Sequence, residues 1–126
     1  MDRTELEKRT KKFALKVIKF VADLPKNKIT NVLGYQLQKC GTSIGANYRE
    51  ANRAQSRQDF IHKIAIVEKE ASETQYWLEL FDASDIGNPE SLSWLLTESG
   101  ELLAIFTSIG KTTKSRQKRK RDKNLP

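Results

Sequence analysis

Residues 6–25 read LEKRTKKFALKVIKFVADLP, and the spacing of the apolar letters in this stretch decides the fold. Leu6, Thr10, Phe13, Val17, Phe20 and Leu24 recur at alternating steps of four and three. That spacing puts them on one stripe of an α-helix and leaves Lys8, Lys12, Lys16 and Lys19 off it. Pro25 ends the helix because it has no N–H to donate and its ring clashes with the preceding turn. Further along, Lys26–Ile29 form a polar link, and Thr30 is the expected N-cap of a second helix with the stripe Leu33, Leu37, Cys40, Ile44, Asn47 or Tyr48, and Ala51. Ser56 with Asp59 has the form of a shortened capping box for a third helix, whose stripe is Phe60, Ile64, Val67, Ala71, Thr74, Leu78 and Phe81. Gly87 supplies its stop. Asn88 followed by Pro89 starts a fourth helix carrying Leu92, Leu95, Leu96, Leu102, Leu103, Phe106 and Ile109.

No strand pattern and no longer repeat competes with these four periods. The links are short, so consecutive helices are expected to run antiparallel in an all-α, up-down-up-down four-helix bundle over residues 1–110, followed by a basic, flexible tail over 111–126. A chain of 126 residues and 14.4 kDa is one domain's worth, and about two-thirds of its unfolded surface can be buried. No apolar run is long enough to span a bilayer and the N-terminus has no signal-peptide core, so a cytoplasmic protein without membrane contact is expected. Cys40 is the only cysteine; without a second, neither a disulfide scaffold nor a thiolate metal cage can form within one chain.

The net charge of +7 says less than its distribution. Lys111, Lys114, Arg116, Lys118, Arg119, Lys120, Arg121 and Lys123 stand against Asp122 alone, so the tail holds the whole excess. Residues 1–63 carry 14 basic and 6 acidic groups, a balance of +8, and residues 64–110 carry one basic and 9 acidic groups, a balance of −8. Opposite halves favour packing against each other, within a chain or between chains, and leave the tail as the unbalanced cation.

Several residues invite a chemical reading. Gly41 and Gly45 share a helix face and each costs about 1 kcal/mol there relative to alanine; close approach of a neighbouring helix accounts for them, and a backbone phosphate site is the alternative. Ser43, Asn47 and Glu50 bring polar groups into or beside the second stripe, so a network with Arg49, Arg53, Glu70 and Glu73, or a subunit interface, is expected, with a ligand or RNA contact as the alternative. A di-metal site needs paired Glu-x-x-His motifs; with His62 the only histidine, no metal and no cofactor are expected. Arg57 and His62 match the arginine-spacer-histidine pattern of helical, metal-independent ribonucleases, in which histidine does acid/base work and arginine meets phosphate charge. Lys12, Lys16 and Lys19 are a solvated ridge unless they are continuous with the basic tail, when together they follow a phosphate backbone. Trp77, Trp94, Tyr35, Tyr48 and Tyr76 fall near helix seams, where core or subunit contacts are the expected use.

The segment Gly41 to Phe81, GTSIGANYREANRAQSRQDFIHKIAIVEKEASETQYWLELF, resembles the four-helix-bundle proteins first known as products of intervening sequences in large-subunit ribosomal RNA genes. Gly41, Ser43, Ala46, Asn47 and Glu50 fit that family's Ser-x-x-Ala-Asn-x-x-Glu stretch, and Ala65, Lys69, Glu70, Glu73, Thr74, Trp77 and Leu78 fit its third helix. The resemblance covers roughly residues 6–110 and not the tail. It implies an antiparallel four-helix protomer, commonly a homopentamer, related to the accessory proteins of diversity-generating retroelements that bind nucleic acid and a reverse transcriptase. A ring needs two different patches that fit each other, and the oppositely charged halves can supply them. The expected function is non-enzymatic RNA binding by a homo-oligomer through the tail and the basic surface. The alternatives are a protein scaffold or adaptor and, third, the Arg57/His62 ribonuclease.

Overall fold

The computed structural model describes residues 1–123, which form four helices in chain order: α1 (Arg3–Ala22), α2 (Lys28–Ala51), α3 (Arg57–Ala83) and α4 (Pro89–Lys123). Each begins on a side-chain cap. Asp2 accepts from the Glu5 N–H at 2.8 Å, Ser56 from Asp59 at 3.0 Å and Asn88 from Ser91 at 3.0 Å. The cap of α2 is Asn27 and not Thr30. The Asn27 side chain accepts from the Thr30 N–H at 3.0 Å, while the Thr30 hydroxyl accepts from the Asn27 N–H at 3.3 Å and donates to the Pro25 carbonyl. Thr30 therefore occupies the third helical position of a reciprocal capping box, and α2 starts earlier than its apolar stripe does.

All six residues of the first stripe are buried, five of them on α1 and Leu24 just past its end, as are Leu37, Cys40, Ile44 and Ala51 of α2. Of the two residues that compete for one turn of α2, Tyr48 goes inside, its ring edge-on to Phe106 at 5.2 Å, and Asn47 stays half-buried. Ile64, Val67, Ala71, Leu78 and Phe81 of α3 meet Leu92, Leu95, Leu102 and Phe106 of α4 in the same core. Each helix packs on its sequence neighbours, and α1 closes against α4 along the thinnest of the four seams.

The pairings across the seams run in opposite senses. Thr10, Val17 and Val21 of α1 lie against Gly45, Gly41 and Gly34 of α2, and Gly100 and Gly110 of α4 lie against Gln75 and Ile64 of α3. A Cβ on Gly41 would lie 3.0 Å from a Val17 methyl, and one on Gly45 3.1 Å from the Thr10 hydroxyl, so these glycines let α1 and α2 approach closely. Arg9 bridges the α1–α4 seam at its edge. Its Nε and Nη2 donate to the two carboxylate oxygens of Glu98, each at 2.7 Å, and Nη2 also reaches Glu101 at 2.9 Å. Those hydrogen bonds, the Glu98 pair foremost, raise the guanidinium pKa further above its already high ordinary value.

Helix α4 does not stop where its apolar stripe ends. It continues as helix through Lys123, so the described part of the tail extends α4; residues 124–126 lie outside the described residues. At the other end of the bundle, Asp85 (φ 54°) and Gly87 (φ 96°) turn the chain between α3 and α4. A Cβ on Gly87 would fall 2.6 Å from Cε2 of Phe20, and its left-handed backbone is strained for any other residue. Gly87→Ala should therefore lower the unfolding free energy by about 2–4 kcal/mol, read as a fall in the urea midpoint without a change in slope.

Candidate nucleic-acid interface

The last turns of α4 gather the charge that the sequence placed after residue 110. Lys111, Lys114, Arg116, Lys118, Arg119, Lys120, Arg121 and Lys123 are all exposed on one continuous helix, and among the described residues none of them is in an ion pair. Thr113 and Gln117 are half-buried, which marks the side turned to the bundle; the Thr113 hydroxyl donates to the Ile109 carbonyl at 2.7 Å. The cations at the helix C-terminus oppose the negative end of its macrodipole, one reason so polar a segment holds helical form. Arg57, the first residue of α3, joins Gln117, Lys120 and Arg121 around a shallow groove.

The lysines of α1 are not part of this cluster. The amino groups of Lys12 and Lys16 each sit 5.7 Å from the Trp94 ring centroid, and Lys19 pairs with Asp23 at 3.4 Å. Trp94 also stacks on Phe13, with ring centroids 6.4 Å apart. At about 1.5 Å of rise per residue, Trp94 lies about 26 Å along α4 from Lys111, and the acidic pair Glu98 and Glu101 stands between them. The ridge and the tail are therefore separate basic areas. Tyr35 and Tyr76 are exposed, against the expectation of seam contacts, whereas Trp77 is half-buried.

Ser43, Asn47, Arg49, Glu50, Arg53, Glu70 and Glu73 do not form the expected network within the chain. The Ser43 hydroxyl donates to the Lys39 carbonyl at 2.6 Å and Asn47 donates to the Ser43 carbonyl at 2.9 Å, so both are satisfied by the backbone of their own helix. Arg49 approaches Glu7 at 3.9 Å, and Glu50 and Arg53 are exposed. Glu70 is half-buried; burial raises its carboxyl pKa above the ordinary value, with the neighbouring Glu73 adding to the shift. Burial likewise pushes the Cys40 thiol up, and its sulfur donates to the Gln36 carbonyl.

The ion-paired group that does exist, Arg9 with Glu98 and Glu101, was not anticipated. Its signal is positional: Arg9 flanks the α1 stripe between Leu6 and Phe13, and Glu98 flanks the α4 stripe between Leu95 and Leu102. Arg57 and His62 are both exposed and five residues apart on α3, which at 3.6 residues per turn separates them by about 140° around the axis. That separation is inherent in the four-residue spacer and leaves the two side chains without a contact to each other among the described ion pairs and hydrogen bonds.

The sequence pattern of 23S rRNA-intervening sequence proteins matches residues 3–108. The chain belongs to this family. A solved structure from Bacteroides thetaiotaomicron VPI-5482, described as a protein with unknown function from the S23 ribosomal protein family, is 37% identical and superposes with a TM-score of 0.80, covering 88% of this chain and 99% of that one. No curated protein matches the sequence. The eight tail cations of this intervening-sequence protein lie beyond the family-matched region.

The shift at Glu70 has a testable sign. Its folded-state pKa lies above the unfolded value, so its ionised form costs stability at neutral pH, and that cost disappears as the carboxyl protonates. Glu70→Gln should raise the urea midpoint at pH 7, and the advantage should fade as the pH approaches about 4, where glutamate is protonated in both states.

Proposed function

We propose that this intervening-sequence protein is a non-enzymatic, cytoplasmic RNA-binding homo-oligomer whose phosphate contacts come from the end of α4. The observation that carries the reading is the density of unpaired cations: eight on the exposed turns from Lys111 to Lys123, with Asp122 the only acid among them. Arginine and lysine without carboxylate partners release counterions from a nucleic-acid backbone when they bind it, which drives association. Lys12, Lys16 and Lys19 form a second, weaker basic area on the flank of the bundle. The groove that Arg57 shares with Gln117, Lys120 and Arg121, and not with His62, favours a binding role for Arg57 over the ribonuclease reading.

Assembly into a ring, five copies by the resemblance, multiplies one tail into several and raises avidity without new contacts. Two observations support self-association. Arg9 makes the only ion pairs, among the described residues, that join the +8 half to the −8 half, so most of the opposed charge stays on the surface, where copies can pair it. Leu15, Ile18, Val32 and Tyr35 are exposed on the adjacent helices α1 and α2, apolar side chains that a second copy could cover. The same side chains favour the second reading, an adaptor that presents this face to another protein. Ile18→Glu should shift the mass measured by light scattering from oligomer to monomer while leaving helix content unchanged.

RNA binding is tested with the full chain across a salt series. If each tail neutralises about five phosphates of a single strand, log K falls against log salt with a slope near −3.5, about a hundredfold loss between 50 and 200 mM. The combined variant Lys118→Gln, Arg119→Gln, Lys120→Gln, Arg121→Gln should flatten the slope and weaken binding. A flat response in the unaltered chain removes the tail as the site, and a protein partner kept by both forms with no RNA bound supports the adaptor.

A further inference from the structure

We infer that the end of α4 is built to enter the major groove of an RNA double helix opened by a bulge or internal loop, and not to track a single strand. This rests on the RNA reading above and names the shape of the target.

Successive residues of an α-helix lie about 100° apart around its axis. Lys111, Lys114, Lys118 and Arg121, at steps of three, four and three, therefore form one ridge. Arg116, Arg119, Lys120 and Lys123 form a second, about 170° around the helix from the first. On the inner side between the ridges are the half-buried Thr113 and Gln117, with Arg57 beside Gln117, Lys120 and Arg121. On the outer side between them are Ser115 and Asp122, a neutral and an acidic residue at the outer edge of a cationic helix.

The second ridge stands clear of α1. The ion pair of Arg9 with Glu98 and Glu101 sets the register of antiparallel α1 and α4, which brings the start of α1, Arg3, level with about residue 106 of α4. Beyond that level α1 does not extend, and Arg116, Arg119 and Lys123 are all exposed; α3 runs beside the inner side, where Lys114 shares a groove with Glu68 and Lys69 and yet stays exposed.

A single strand lies along one side of a helix and leaves the other ridge idle. A groove has phosphates on both walls and base edges on its floor, which is the order in which α4 presents cations, polar edge and cations. The helix is about 10–12 Å across with its side chains and its charged length is about 20 Å. The regular A-form major groove is too narrow for it. A bulge or internal loop that opens the groove toward the ~12 Å width that admits a helix in B-form duplexes removes that barrier. There the Asp122 carboxylate is placed to accept from a cytosine amino group, while the ridges hold the walls.

The test compares full-length protein on three RNAs with equal numbers of phosphates: a single strand, a perfect duplex and a duplex with a central bulge whose paired arms are shortened to match. The bulged duplex should bind at least about tenfold tighter than either of the others at the same salt, since only it engages both ridges. Ser115→Pro keeps every charge but breaks the helix beyond the last buried residue, Gly110, and should abolish the preference while the bundle's thermal unfolding is unchanged. Arg116→Gln with Arg119→Gln and Lys123→Gln should abolish it as well. Equal binding of single strand and bulged duplex, or a preference that survives Ser115→Pro, overturns the groove inference and leaves RNA binding standing. Equal binding of perfect and bulged duplex overturns groove entry in favour of surface contact. Failure of every probe to bind overturns the RNA reading and the inference together.

Discussion

The arrangement of the charged surface depends on one constraint: the backbone of α4 passes through Gly110 without a break. A glycine after the last apolar position commonly ends a helix by turning left-handed. Here it is buried instead, close to the Ile64 side chain and the Glu68 carboxylate, and the chain goes on as helix for three further turns. Those turns bury almost nothing. A segment with so few apolar groups does not readily nucleate a helix alone, because the first turn fixes several residues for a single hydrogen bond. Continuing from a helix whose first part is anchored in the core, each added residue gains a hydrogen bond without a new nucleation step. The bundle thus acts as a template that fixes where around the axis each tail cation points.

A second constraint is electrostatic. The first half of the chain is a polycation and the following part a polyanion, yet among the described residues the two are joined by Arg9 alone. The remaining ion pairs, Lys19 with Asp23, Arg49 with Glu7 and Lys63 with Asp59, lie within the first half. Apolar burial holds the bundle; surface pairs of this kind each add little. The charge asymmetry is therefore a property of the outer surface, where it bears on what the protomer meets and not on how it folds.

The helices were legible because burial follows periodicity: every stripe position read for α1 is inside, and the caps at Ser56 and Asn88 are where their side chains predict. The start of α2 was misplaced because Asn27 and Thr30 are both good caps and the apolar stripe begins only later; the reciprocal bonds between them settle the competition. The helical form of the tail was not legible because charge density argues for disorder or fraying, and sequence patterns do not reveal templating by a preceding helix. For the polar residues of α2, helical spacing showed which side they share but not that Ser43 and Asn47 bond their own backbone. Serine and asparagine have that local option; a long arginine on the rim of a stripe, such as Arg9, reaches across the seam instead.

The two basic areas differ in a way that bears on function. The lysines of α1 have close partners: Lys12 and Lys16 lie against the face of Trp94, and Lys19 meets Asp23. An ammonium on an aromatic face gives up part of its hydration and keeps an attraction that a phosphate would have to replace. The cations of α4 have no such partner and repel one another at close range, so an incoming polyanion relieves repulsion there and disrupts contacts at α1. On that balance a nucleic acid bound as proposed would neutralise the end of α4 first, and by removing the repulsion along the helix it would also stabilise the conformation that presents the two ridges. Order in the tail and affinity for the proposed polyanion would then reinforce each other, and the gain would be larger for a partner that contacts both sides of the helix than for one that contacts a single side.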